Sequence, residues 1–325
     1  MTQPSRPVVI VGLPRSGTTW TLTALSQDPG IRTAPERDNE DNNPSAIYAK
    51  RHLGRYPLLE PGDAAADYRR LWAWILSGAT EHRRQKWARL ILGPAAKERI
   101  FDGKRDAAAW LAGVVASNPR PGRATPGDPA PTTIVAKSIH AQLAVEWLAS
   151  EFDITVLVLL RHPGNVLASW QQVKLKDGRN STLETSAAIR ERFGDPWGVP
   201  QPGPDPVERM CWRIGLLTAV LEDAASRHPD WHVVTHEDLC VDPVAKFKVL
   251  CEQLGLPWTD QREEYLVDHN TPGEGFRLKR VAEDLPNSWE HRLDDDALGT
   301  LQRVLAWFPI RNWTASDFQR TTDRT

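Results

Sequence analysis

Residues 8–20 read VVIVGLPRSGTTW, and their types and spacing suit the binding of an anion. An apolar run stops at Gly12, a loop follows, and Gly17 stands where a helix would begin. In such a loop backbone N–H groups and the positive end of the helix can hold phosphate oxygens. Phosphate loops for nucleoside triphosphates carry the pattern G-x-x-x-x-G-K-[ST], whose lysine reaches the terminal phosphates and whose hydroxyl holds magnesium. Here Thr18 stands at the lysine position, Thr19 keeps the hydroxyl, and the cation lies inside the loop as Arg15. The expected ligand therefore ends in a smaller anionic group and needs no metal. A second segment, VLVLLRHPGNVLASW, places Arg161 at the end of an apolar strand and Ser169 two turns into the next helix. Both can face one phosphate, which arginine grips through a charge-assisted fork.

Together these segments resemble the sulfotransferases that use 3′-phosphoadenosine 5′-phosphosulfate (PAPS). PRSGTTW at 14–20 is similar to their 5′-phosphosulfate loop, in the arginine form of bacterial, carbohydrate and protein-tyrosine members. The resemblance implies that Arg15, Ser16, Gly17, Thr18, Thr19 and Trp20 contact the phosphosulfate end, and that Arg161 and Ser169 hold the 3′-phosphate. VVTHEDLCVDP resembles a strand-then-turn stretch of the family that looks structural, and FRLKR at 276–280 resembles a late basic segment that closes over the nucleotide. Arg277, Lys279 and Arg280 are its candidates.

Sulfuryl transfer needs a general base for the acceptor's proton and cations for the leaving phosphate. Glu36, in RTAPERDNED, stands where protein-tyrosine and related members have a glutamate base; burial near the acceptor would raise its pKa. Most of the other acids around it are expected to be solvated. His140 is the rival, in AKSIH, which departs by one residue from the K-T-H pattern of small-molecule members. Lys137 in the same segment could stabilise the bridging oxygen of the leaving group.

The elements that must carry these residues alternate. Strands are expected at 7–11, in IRTAP, TTIVAKS, DITVLVLLR and WHVVTH, with helices at about 17–27, 64–92, 105–117, 140–150, after His162, 207–227, 243–254 and 294–308. Alternation of this kind predicts an α/β fold: a P-loop-like, mainly parallel central sheet flanked by helices, sulfotransferase-like by resemblance. Residues 1–325 are read as one domain, with 40–130 and 177–206 building the acceptor pocket and lid. The stretch 118–131, rich in proline, is a surface connection, and the basic cluster Arg83 to Arg105 a solvated face.

Bulk properties limit the rest. A net charge of -2 over 325 residues excludes a general nucleic-acid binder. No apolar run approaches the ~20 residues that span a bilayer. Three cysteines without metal or disulfide spacing, and no signal-like start, point to the cytoplasm. Fourteen tryptophans against seven phenylalanines suggest a tryptophan-rich core, with Trp72, Trp74 and Trp197 as hints of an aromatic or lipid-like acceptor. The acceptor is expected to be a small molecule, carbohydrate or lipid offering a hydroxyl or amine; the oligomeric state is open. The alternatives are another P-loop enzyme such as a kinase, or a non-catalytic protein that binds PAPS or its desulfated product.

Overall fold

The computed structural model describes residues 6–41, 43–78, 133–173, 183–270 and 285–320. The basic cluster 83–105, the helix expected at 105–117, the connection 118–131, and Arg277, Lys279 and Arg280 lie outside the described residues.

Five strands form one sheet: β1 (Val8–Gly12), β2 (Ile31–Pro35), β3 (Thr133–Ser138), β4 (Thr155–Leu160) and β5 (His232–Thr235), in the order β2-β3-β1-β4-β5. The pairs β1/β3, β2/β3 and β4/β5 are parallel. β1 and β3 are buried at every residue and β4 at all but its first, which is why their sequences are nearly continuous apolar runs. The α/β expectation with a parallel sheet is met.

The chain divides into two compact units. The first comprises Met1–Val11 and Leu25–Val156, the second Gly12–Ala24 and Leu157–Thr325.

In the first unit β2 pairs β3 so that Pro35 lies opposite Lys137. Helix α2 (Pro44–Lys50) starts where Asn43 accepts the Ser45 N–H and Pro44 takes the first turn. Helix α3 (Ala66–Leu76) buries Tyr68, Leu71, Trp72, Trp74 and Ile75. The sequence pattern extends this helix to 92; α3 stops at Leu76, before Gly78, whose φ of 65° is left-handed, and 79–92 lie outside the described residues. A Cβ on Gly78 would come within 2.4 Å of Ile134 Cδ1, so the turn also needs glycine for space. Tyr68 stacks on Trp147 of helix α4 (Val145–Glu151), at 5.6 Å between rings. Trp147 Nε1 donates to the Asp63 carbonyl at 3.0 Å. Trp72 and Trp74 are thus core residues, as a tryptophan-rich core requires.

The second unit holds the start of helix α1 (Thr18–Leu25), helix α5 (Pro163–Gln172) and the 22-residue α6 (Pro206–Arg227). Asp205 caps α6 through the Glu208 N–H, with Pro206 at the first turn. Helix α2 of the first unit was not expected, nor were two helices of this unit. α7 (His236–Val241) is short and follows β5 at once, started by Thr235, which accepts the Asp238 N–H. α9 (Asp260–His269), which comes after α8 (Pro243–Gln253), buries only Arg262, Tyr265 and Leu266, too few apolar residues for a clear helical stripe. The last long helix is α10 (Asp295–Leu305). Within 177–206, where no helix was expected, the described part contains short helical turns from Ala187 to Trp197, ended by left-handed Gly198.

Candidate functional site

The anion loop lies in the second unit. Arg15 and Gly17 both take left-handed backbone, with φ of 71° and 92°. A Cβ on Gly17 would also lie 2.1 Å from His236 Cδ2, so the ring at the start of α7 fills the space a side chain would need. Gly12 is equally confined, 2.6 Å from the Leu159 carbonyl oxygen by the same construction. Three hydrogen bonds tie the loop to the strand-to-helix turn after β4. Arg15 Nε donates to Ser169 Oγ at 3.0 Å, Arg161 Nη1 to the Arg15 carbonyl at 2.6 Å, and Trp170 Nε1 to the Pro14 carbonyl at 2.8 Å. The two sequence motifs are therefore one structural element, with Arg15, Arg161 and Ser169 together.

Arg161 is half-buried, and its buried Nε has no partner among the described residues. Burial lowers its pKa, and the Glu237 carboxylate opposes that shift. Glu237 is itself pushed up by burial and pulled back by Arg161. Ser16 and Thr18 are buried, Thr19 is exposed, and Trp20 packs its edge against His236 and Phe247. His162 caps α5: its Nδ1 accepts the Gly164 N–H at 3.2 Å, and its Nε2 lies 3.1 Å from the Asp317 carbonyl. Its ring stacks on Trp289, and burial brings its pKa down to about 4, which keeps the imidazole neutral. His236 is also held neutral, by burial and by the Arg161 charge.

His236 and Glu237 are the residues that sequence reasoning missed here. They stand in the segment read as structural, and their one signal was a histidine and an acid directly after a strand.

The base candidates lie in the first unit. The β2/β3 register sets Glu36 beside Lys137: the Glu36 N–H donates to the Lys137 carbonyl at 3.0 Å, and Lys137 Nζ meets Glu36 Oε1 at 2.5 Å. Asn39 Nδ2 donates to the other carboxylate oxygen at 3.0 Å. Glu36 itself is left-handed, with φ of 45°. Burial pushes its pKa up, as expected from sequence, but the Lys137 charge and the hydrogen bonds from Lys137 and Asn39 outweigh it. The net direction is down, which corrects the expectation of a raised pKa.

His140 sits deeper. Its side chain is 4% exposed, against 21% for Glu36. Its Nδ1 lies 3.5 Å from Glu40 Oε2, and Tyr56 packs edge-on against the ring. Burial and the Lys50 charge lower its pKa. Of the surrounding acids Asp38 and Glu40 are buried, contrary to expectation, while Asp41 is exposed. Glu40 is buried between Lys50, at 2.8 Å, and Arg55. Asp38 is buried and accepts from Ser138 Oγ at 2.5 Å; that oxygen also accepts the N–H groups of His140 and Ala141. Lys50 comes ten residues after Glu40 and Ser138 a hundred after Asp38, so no local pattern announced the pairing.

Among the described residues no group of three or more His, Cys, Asp or Glu is placed to hold a metal ion. All three cysteines are free and buried. No described helix is long and apolar enough to cross a membrane.

A family model described as "Sulfotransferase family" matches residues 7–260. No curated protein matches. Among solved structures, the chain is similar to the sulfotransferase domain of the curacin biosynthetic pathway, at 14% identity over 95% of this chain and 100% of that one, with a TM-score of 0.47. The sulfotransferase domain of the Synechococcus PCC 7002 olefin synthase matches at 14% identity over 93% and 95%, TM-score 0.46. A retinol dehydratase in complex with retinol and PAP matches at 14% identity over 96% and 85%, TM-score 0.37.

Proposed function

The chain belongs to the sulfotransferase family, and from that premise we propose that it moves the sulfuryl group of PAPS to a hydroxyl or amine of its acceptor. The family match sets the kinase alternative aside. The observation that carries the donor assignment is the set of hydrogen bonds joining Arg15, Arg161 and Ser169. It brings two guanidinium groups and the N–H groups of a glycine loop to one doubly anionic donor.

In this reading the loop from Arg15 to Thr19, with Trp20 packed behind it, holds the 5′-phosphosulfate, and Arg161 and Ser169 the 3′-phosphate. Arg277 and Lys279 add contacts from the late basic segment. The acceptor oxygen attacks sulfur in line. The bond from sulfur to the bridging oxygen of the 5′-phosphate breaks, the acceptor proton passes to a carboxylate, and adenosine 3′,5′-bisphosphate departs. Arg15 and the loop N–H groups stabilise the charge that grows on the leaving phosphate. No step requires a metal ion.

Glu36 is the base in this scheme. Its partial exposure favours it over His140, which is enclosed by Glu40 and Tyr56. Lys137 holds the Glu36 carboxylate ionised and is the candidate cation for the bridging oxygen. We read residues 1–325 as one sulfotransferase domain of the cytoplasm, with 40–130 and 177–206 shaping a pocket for a small-molecule, carbohydrate or lipid-like acceptor. The buried positions of Trp72 and Trp74 leave Trp197 as the remaining aromatic hint.

The test is transfer of labelled sulfate from PAPS across an acceptor panel, beside calorimetry with adenosine 3′,5′-bisphosphate and with ATP. Tight binding of the bisphosphate, weak binding of ATP and a labelled product support the reading. Preference for ATP would sink it, and bisphosphate binding without transfer to any acceptor would leave a binding protein in its place.

A further inference from the structure

We propose that Asn165 and Glu237 form a positioning pair that holds Arg161 for the donor's phosphate, an inference that rests on the donor-site reading above. Asn165 is wholly buried on α5, one turn before Ser169. Its side chain uses all four of its hydrogen-bonding positions. Nδ2 donates to Glu237 Oε1 at 3.0 Å and to the Pro286 carbonyl at 2.8 Å. Oδ1 accepts from Ser288 Oγ at 2.9 Å and from the Trp289 N–H at 3.0 Å. A carbonyl on one side and a backbone N–H on the other permit only one orientation of the amide. Asparagine is thus specified: aspartate has the acceptors but lacks the donors.

Glu237 is the other half. Its Oε2 accepts the His162 N–H at 3.1 Å while Oε1 takes the Asn165 amide. It acts on Arg161 through charge, with both oxygens engaged elsewhere. The guanidinium therefore has a fixed negative neighbour that does not occupy its N–H groups. Arg161 Nη1 goes to the Arg15 carbonyl, and Nε has no partner among the described residues. A carboxylate bonded directly to the guanidinium would compete with an incoming phosphate, whereas one fixed by Asn165 and His162 compensates the buried charge and leaves the fork for the ligand. The same asparagine anchors residues 286–289 to α5, so the peptide that follows Arg161 and the late chain are held by one hydrogen-bond set.

The full chain is tested with adenosine 3′,5′-bisphosphate as the probe, by calorimetry and by steady-state transfer. Asn165→Asp sets a second carboxylate against Glu237 and removes the donor. Binding should weaken about tenfold or more at pH 8, with kcat at saturating donor within about twofold, since the cost is that of an unmet buried hydrogen bond. The exchanged variant, Asn165→Asp with Glu237→Gln, restores an amide–carboxylate bond in reverse at unchanged net charge; the Pro286 carbonyl still lacks its donor, so binding should recover in part, to at least about threefold tighter than Asn165→Asp alone. A purely structural role would cost stability but leave the donor affinity of the folded fraction unchanged. If the single variant does not fold, the bisphosphate affinity of the exchanged pair, read against wild type, decides. Wild-type affinity in folded Asn165→Asp overturns the inference alone, as does an exchanged pair that folds but does not bind. Absence of bisphosphate binding by wild type overturns the donor-site reading and the inference with it.

Discussion

At the scale of single residues, the proposed base and the lysine beside it are one object. Glu36 is ionised because Lys137 and Asn39 outweigh burial. A proton acceptor must be deprotonated, so activity should fall on the acid side as pH drops through the Glu36 pKa. Removing the lysine charge in Lys137→Met raises that pKa, and the acid limb of kcat/KM should move to higher pH. An unmoved limb would take the base role away from Glu36. The linkage sign follows from the same shift. A carboxyl depressed on folding contributes stability above its unfolded pKa, and that contribution is lost as pH falls through the lower folded value. Gly17 makes a second test. Left-handed backbone and the His236 ring both oppose a side chain there. In Gly17→Ala/His236→Ala the ring is gone but the backbone strain, about 1–3 kcal/mol, remains. Donor binding should recover only in part relative to Gly17→Ala alone, as calorimetry would read.

Among elements, those that position the site were legible in sequence when local chemistry specified them. β1 and β4 announced themselves as uninterrupted apolar runs, and α5 by Pro163 at its first turn. The two arginines were expected to hold opposite ends of one donor; that Arg161 hydrogen-bonds to the Arg15 carbonyl was not foreseen. What stayed hidden depends on partners distant in the chain. The acidic run after β2 reads as solvated until Lys50, Arg55 and Ser138 are known to meet it. Helix α9 is covered through the buried Arg262, which donates to the Ala24 carbonyl at 3.0 Å, and no periodic apolar pattern marks that contact. Lys50→Met leaves Glu40 buried with Arg55 as its remaining close cation. It should cost about 3 kcal/mol in chemical denaturation, the low end for breaking a buried pair, because Arg55 compensates in part. A loss below roughly 1 kcal/mol, the range of exposed pairs, would show that the cluster is open to solvent.

For the whole molecule, the family match over residues 7–260 agrees with a reading built from two motifs near 15 and 161. Since the proposed chemistry places every positive charge on arginine, lysine or backbone N–H, transfer should be unchanged after exhaustive chelation and dialysis; loss of rate restored by a divalent ion would refute that. The donor loop raises a matter of timing. Arg15 bonds to a serine 154 positions later in the chain. At about 5–20 residues per second the nascent loop waits on the order of ten seconds or more for that partner. Until then the left-handed arginine and the glycine turn lack their bonds to Arg161, Ser169 and Trp170, so ribosome-bound chains halted before Arg161 should fail to capture the nucleotide on an affinity resin.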